Sequence, residues 1–163
     1  NVSPDSCDNP SHYENYLRFC AISDYQSGRG VTHLILDTNE KGDTIAIAGF
    51  VTLRATSLIS QTENNMPVVH SSIEIAELAV SQDYERLGVG SALVNLALCL
   101  ADELRIGKIG IKYVVLCADP KAIGFYEKKH HFEKIGELYE PPREGWNEKC
   151  EAMYITLPDC ESL

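Results

Sequence analysis

The stretch from Ser72 to Gly90 restricts the folds open to this chain more than any other. Ile73 and Ile75 place the apolar face of a strand on odd numbers, whereas Leu78 and Val80 place it on even numbers. Strand side chains alternate with period two, so a switch of parity requires one extra residue, a β-bulge, near Ala76-Glu77. A glycine-rich turn follows, Glu85-Arg86-Leu87-Gly88-Val89-Gly90, and opens a long helix whose expected core stripe is Val89, Leu93, Leu96, Leu100 and Leu104. Such a turn leaves N–H groups unpaired at the positive end of the helix dipole, and missing side chains let an anion approach. Leu93 stands where a dinucleotide fingerprint needs its third glycine, and no Gly-Lys-Ser/Thr follows to make a P-loop.

The rest of the chain alternates helices and strands around this unit. Asn9-Pro10 reads as a cap with Pro at the first helical position, and Tyr13, Tyr16, Leu17, Cys20 and Ala21 recur at helical spacing until Gly28 and Gly30. Strands are expected over Thr32–Leu36 and Thr44–Leu53, joined by a polar hairpin connection, with residues 56–70 irregular around an Asn64–Pro67 tip. Beyond the long helix come a strand over Tyr113–Leu116, a helix opened by Asp119-Pro120, and two last strands over Phe132–Ile135 and Ala152–Leu157. The order αββ then βαβαββ predicts one α/β (α+β) domain over residues 1–163, with a mixed sheet.

Composition narrows the function classes. A net charge of −10 sets a field that repels polyanions, which disfavours nucleic acid. No apolar run is long enough to span a membrane, and the polar, acidic start from Asn1 to Pro10 does not read as a signal peptide, so a cytoplasmic protein is expected. The six cysteines include no Cys-x-x-Cys pair, and Cys99 and Cys117 fall in apolar stretches as small core residues do. His130-His131 are adjacent, which on a strand would send the rings to opposite faces. No metal site is expected.

At Leu78-Ala79-Val80, the turn Glu85 to Gly90, and Asp119-Pro120-Lys121-Ala122-Ile123-Gly124-Phe125-Tyr126-Glu127-Lys128, the chain resembles the GNAT superfamily, the Gcn5-related acyl-CoA N-acyltransferases. Residues 16–60, including Gly49-Phe50-Val51-Thr52-Leu53, are similar to its toxin–antitoxin-type members. The sequence departs from the family pattern at Glu85, where Arg or Gln is usual, at Asp119 for a frequent Asn, and at His131-Phe132 for Gly-Phe. The resemblance implies a mostly antiparallel sheet with a splayed parallel strand pair, flanked by helices.

It also implies roles. Acetyl-CoA is the cosubstrate, its pyrophosphate on the N–H groups of Arg86, Leu87, Gly88, Val89, Gly90 and Ser91, its pantetheine along Leu78, Ala79 and Val80, with Asp119 and Phe125 beside it. Tyr126 would protonate the departing thiolate. Glu77, at the bulge, is the candidate base for the amine, with Glu74 in reserve. Lys and Arg at 105, 108, 112, 121, 128, 129 and 134 against acids at 119, 127 and 133 make a local excess of four positive charges, with Lys128 and Lys129 candidates for the 3′-phosphate. The acidic stretch 137–151, which holds Trp146, favours a cationic acceptor. The expected activity is direct acetyl transfer to a primary amine of a small molecule or peptide. The alternatives are a toxin that acetylates aminoacyl-tRNA and pairs with an antitoxin, or a sensor or scaffold that binds acyl-CoA without turnover. A homodimer is compatible with either.

Overall fold

A computed structural model describes residues 10–136, 139–140 and 150–158. The N-terminal segment is helical: α1 (Pro10–Asn15), a π-helical turn (Tyr16–Cys20) and α2 (Ala21–Gln26). Then come β1 (Val31–Thr38), β2 (Thr44–Gln61), β3 (Pro67–Val80), a 3₁₀ turn (Gln82–Tyr84), α3 (Val89–Gly107), β4 (Tyr113–Ala118), α4 (Ile123–His130), β5 (Glu133–Lys134), β6 (Tyr139–Glu140) and β7 (Glu151–Thr156). The seven strands form one mixed sheet in the order β1-β2-β3-β4-β7-β5, with β6 paired to β2. Among the described residues only β3 and β4 are parallel; every other pair is antiparallel.

One face of the sheet carries α3 and α4. Val51, Ile73, Ile75, Val114, Leu116 and Met153 meet Leu93, Val94, Ala97 and Ala101 there in the main core. Each large side chain so buried contributes about 1.5–3 kcal/mol. The helix line in deepest contact is therefore turned from the expected leucine stripe: Ala97 and Ala101 are fully buried, and Leu96 and Leu104 pack at the flank. Small side chains on that line let α3 lie close to the sheet. The opposite face receives the N-terminal helices, where Tyr16 stacks on Phe50 (6.2 Å between centroids, 12° between planes) and Tyr13 meets the same ring edge-on at 6.4 Å.

The parity break is real. Thr52 pairs with Glu77 and Leu53 with Ile75, so Ala76 is the extra residue on β3. Leu78 and Val80 thereby join Ile73 and Ile75 against the main core, while Glu74 and Glu77 lie toward the N-terminal helices.

Several expectations need correction. Residues 56–70 are not irregular: β2 and β3 continue as one antiparallel ribbon from Ala55↔Ile73 to Gln61↔Pro67. Backbone pairing carries this ribbon, with Leu58 alone of its β2 residues fully buried, against Tyr113, Val115 and Ile135, and no strong apolar alternation announces it. Asp119 does not cap α4; its Oδ1 accepts the Lys121 N–H at 2.8 Å in a turn, and the helix starts at Ile123 behind Ala122. His130 and His131 are not on a strand: His130 ends α4 and His131, at φ 58°, is its left-handed C-cap. Cys99 is exposed on α3 and Cys117 is half-buried, so neither is a fully buried core residue. The Asn9 cap and Trp146 lie outside the described residues. No described helix is long and apolar enough to cross a membrane.

Candidate active site

Between β3 and β4 the ladder is short. It runs only from Ser72↔Tyr113 to Ile75↔Leu116. Beyond that point Glu77 to Val80 pair with β2 alone, and Cys117 and Ala118 with β7 alone. The two parallel strands thus part at the bulge and leave a cleft whose β3 side is a strand edge. At its mouth lies the glycine turn. Gly88 has φ +88°, a conformation that suits glycine, and acts as N-cap of α3 with no side-chain cap. The first amides of that helix, on Val89, Gly90 and Ser91, have no acceptor one turn back. The Leu87 N–H turns inward to the Tyr84 carbonyl at 3.4 Å, so the anion-binding face is narrower than the run 86–91. A Cβ added at Gly90 would stand 3.6 Å from both Phe125 Cζ and Val80 Cγ2, which places the turn, the end of β3 and α4 around one space.

Two further contacts hold this turn. Tyr84 donates its hydroxyl to Asp37 Oδ2 at 2.6 Å, which ties the 3₁₀ turn to β1 and raises the phenol pKa. Gly49 lies where α3 presses on the sheet; an added Cβ would be 2.8 Å from the Ala79 carbonyl oxygen. Arg86 adopts φ +62°, a left-handed backbone for a residue with a Cβ.

Tyr126 is 8% exposed and packs edge-on to Phe125 and Phe132. Burial pushes its pKa up to about 12. Its hydroxyl has no hydrogen-bond partner among the described residues. Lys129 Nζ sits 5.9 Å from the Phe125 centroid, and Lys128 shares the same last turn of α4. The site residues therefore fall into two groups around the cleft. Leu78, Val80, Arg86 to Ser91, Phe125 and Tyr126 are on the side of α3 and α4, and Glu77 and Ala79 are on the side of the N-terminal helices.

Glu77 has company that sequence spacing does not reveal. His12 Nε2 lies 3.4 Å from its Oε2, across 65 residues of chain. Burial raises the Glu77 pKa; the His12 charge and hydrogen bond, and the Arg54 charge, oppose that rise, while Glu74 adds to it. Glu74 is 4% exposed and stands opposite Arg54 in the β2–β3 register. Arg54 in turn reaches Asp24 Oδ2 at 3.3 Å, where Tyr16 also donates its hydroxyl at 3.1 Å, and Arg29 Nε donates to Asp24 Oδ1 at 2.9 Å. A groove of about 400 Å³ opens beside this network, lined by Asp24, Arg29, Arg54, Ala55, Thr56 and Glu74. No motif in the sequence links His12, Asp24 and Arg54.

A family model described as the acetyltransferase (GNAT) family matches residues 4–132. The chain belongs to the GNAT acetyltransferase family. By class it is an acyl-CoA-dependent N-acetyltransferase. No curated protein sequence is similar to it. Among solved structures, a tyrosine-to-phenylalanine mutant of the AtaT toxin, bound to the C-terminus of the antitoxin AtaR and acetyl-CoA, superposes with a TM-score of 0.68 at 15% identity, over 93% of this chain and 82% of that one. A tyrosine-to-phenylalanine mutant of KacT gives 0.70 at 14% identity, over 96% and 87%. AtaT complexed with acetyl-methionyl-tRNAfMet gives 0.68 at 16% identity, over 91% and 83%. At such identities the likeness is one of fold, and the GNAT member shares it with toxins.

Proposed function

We propose that this acetyltransferase moves the acetyl group of acetyl-CoA to a primary amine, with both substrates bound at once. The observation that carries the reading is the parting of β3 and β4 at the Ala76 bulge, with an uncapped helix start at one end and the partly buried carboxyl of Glu77 at the other. The pyrophosphate takes the amides of Val89, Gly90 and Ser91, with Arg86 and Gly88 of the turn beside them and the Leu87 amide turned away to Tyr84. The pantetheine lies along Leu78, Ala79 and Val80, replacing the missing strand partner. Phe125 walls the cleft where the Gly90 geometry leaves room, and Asp119 closes the end of β4.

The chemistry follows from the two buried groups. The acceptor enters from the groove side as an ammonium ion and gives a proton to Glu77, whose raised pKa brings it closer to working pH. The neutral amine attacks the thioester carbonyl; a C–N bond forms and the C–S bond breaks. Tyr126, protonated throughout the neutral range, donates its hydroxyl proton to the leaving thiolate and recovers one from the acetylated nitrogen. The donor is unengaged beforehand, so its hydrogen bond forms with the sulfur as charge develops there.

A second reading, acetylation of aminoacyl-tRNA by a toxin that pairs with an antitoxin, is supported by the fold neighbours AtaT and KacT. The net charge of −10 opposes it, and the basic excess over residues 105–134 supplies the only counterweight. The deciding experiment is mass-spectrometric detection of acetyl transfer across polyamines, amino acids, aminoglycosides, peptides and aminoacyl-tRNA. A product on one class, lost in Tyr126→Phe, supports the enzyme and names its acceptor. Growth arrest on expression, together with product on aminoacyl-tRNA, selects the toxin. Tight acetyl-CoA binding without product on any amine selects a sensor or scaffold.

A further inference from the structure

Glu77 sits where a base would serve, but a buried base that keeps its proton stops after one turnover. Its side chain is 17% exposed, and the groups around it divide by element. Arg54 faces it from β2 and Glu74 from β3 itself; Arg54 is held by Asp24 of the N-terminal segment, and Glu74 stands opposite Arg54 in the β2–β3 register. Among the described residues only His12, from α1, joins a titratable nitrogen to Glu77 and is also open to water, with a side chain 35% exposed. Its placement is built. Tyr13 lies against its ring at 5.3 Å, Tyr13 and Tyr16 both pack on Phe50, and Asp24 fastens the segment to Arg54.

We propose that His12 is the proton outlet of the transfer site, a positioning residue that acts through Glu77 and delivers the acceptor's proton to solvent. The inference rests on the acetyltransferase reading above. The proton leaves the acceptor ammonium for Glu77 Oε2, passes to Nε2 of His12, and leaves through the exposed ring for water. One proton enters and one departs, with no other reactant consumed. The imidazolium in transit pairs with the carboxylate it has just restored. The N-terminal helices are therefore part of the reaction path, although the cleft itself is formed by β3, β4, α3 and α4.

The test compares wild type, His12→Ala, His12→Gln and Glu77→Gln with acetyl-CoA and the amine of the panel that yields most product. His12→Ala is expected to lower kcat about tenfold with KM for acetyl-CoA unchanged. The acid limb of its pH profile moves to higher pH, because the charge that opposed the burial of Glu77 is gone. Added imidazole restores part of the rate, and His12→Gln, which keeps a polar contact but cannot carry the proton, behaves like the alanine variant. A wild-type pH profile in His12→Ala, or a loss confined to KM or thermal stability, overturns the outlet. If Glu77→Gln keeps the wild-type rate, the base reading falls and takes the outlet with it; if Glu77→Gln is slow and His12→Ala is not, the outlet alone falls. Titration of the Glu77 carboxyl by ¹³C NMR needs no acceptor, and an unmoved titration in His12→Ala overturns the pairing.

Discussion

Replacing Tyr126 with Phe separates chemistry from packing. The hydroxyl has no partner among the described residues, so its removal breaks no hydrogen bond and leaves no buried group orphaned. The ring contacts with Phe125 and Phe132 persist, and stability at neutral pH should change by less than about 1 kcal/mol. That corresponds to a shift in Tm of less than about 4 °C for a chain of this size. Loss of the acid for thiolate departure should lower kcat by about 10²–10³, with KM for acetyl-CoA unmoved. Alkaline pH gives an independent check. With a folded pKa of about 12 against an ordinary 10, the neutral phenol favours the fold fully below pH 10, and that advantage is lost as pH rises toward 12. The difference amounts to about 3 kcal/mol, and the Phe variant should be more alkali-resistant by that amount. Product is best read by mass, since exposed Cys20 and Cys99 react with thiol dyes. A Phe variant within threefold of wild-type kcat would refute the assignment of Tyr126, and one several kcal/mol less stable at neutral pH would refute the account of its hydroxyl.

Three other perturbations probe the frame around the cleft. Gly49→Ala forces a Cβ against the Ala79 carbonyl at 2.8 Å and against Val89 and Leu93 at 3.1 Å, so it should cost about 1–3 kcal/mol in urea unfolding and weaken acetyl-CoA binding by calorimetry; an unchanged affinity refutes the coupling. Arg86→Gly relieves a left-handed backbone and should gain about 1 kcal/mol in stability while reducing acetyl-CoA affinity, and a lower Tm contradicts the first half. Asp24→Ala leaves the largely buried Arg54 without the carboxylate that fastens α2 to the sheet; discounting the exposed Arg29, about 3 kcal/mol should be lost in denaturant titration, and a loss below 1 kcal/mol shows that Glu74 suffices.

The local signals in the sequence were those with a period or a fixed spacing. The parity switch between Ile75 and Leu78 placed the bulge near Ala76-Glu77, because a strand has no other way to turn Leu78 and Val80 inward, and the register narrows it to Ala76. The turn from Glu85 to Gly90 announced the start of α3 for the same kind of reason: Gly88 needs its positive φ. The ribbon from Ala55 to Gln61 was not visible, since its side chains do not alternate cleanly and its one fully buried residue on β2, Leu58, packs on partners distant in sequence. The α3 core line was misplaced because alanines carry little hydrophobic signal yet fit where the helix lies closest to the sheet. His12 escaped notice because its meaning depends on a partner 65 residues away, and only the docking of Tyr16 on Phe50 brings the two together.

The extra residue at Ala76 gives β3 something like a reading frame. Upstream of it odd positions face the core; downstream, even ones do. If β3 paired regularly through Ala76 instead of bulging there, the frame would slip: Glu77 would be delivered to the greasy side and Leu78 to the wet one, with no residue changed in kind. The two halves of the strand answer to different requirements, packing on one side and ligand contact on the other, and a single alanine is what lets both be written in one continuous chain.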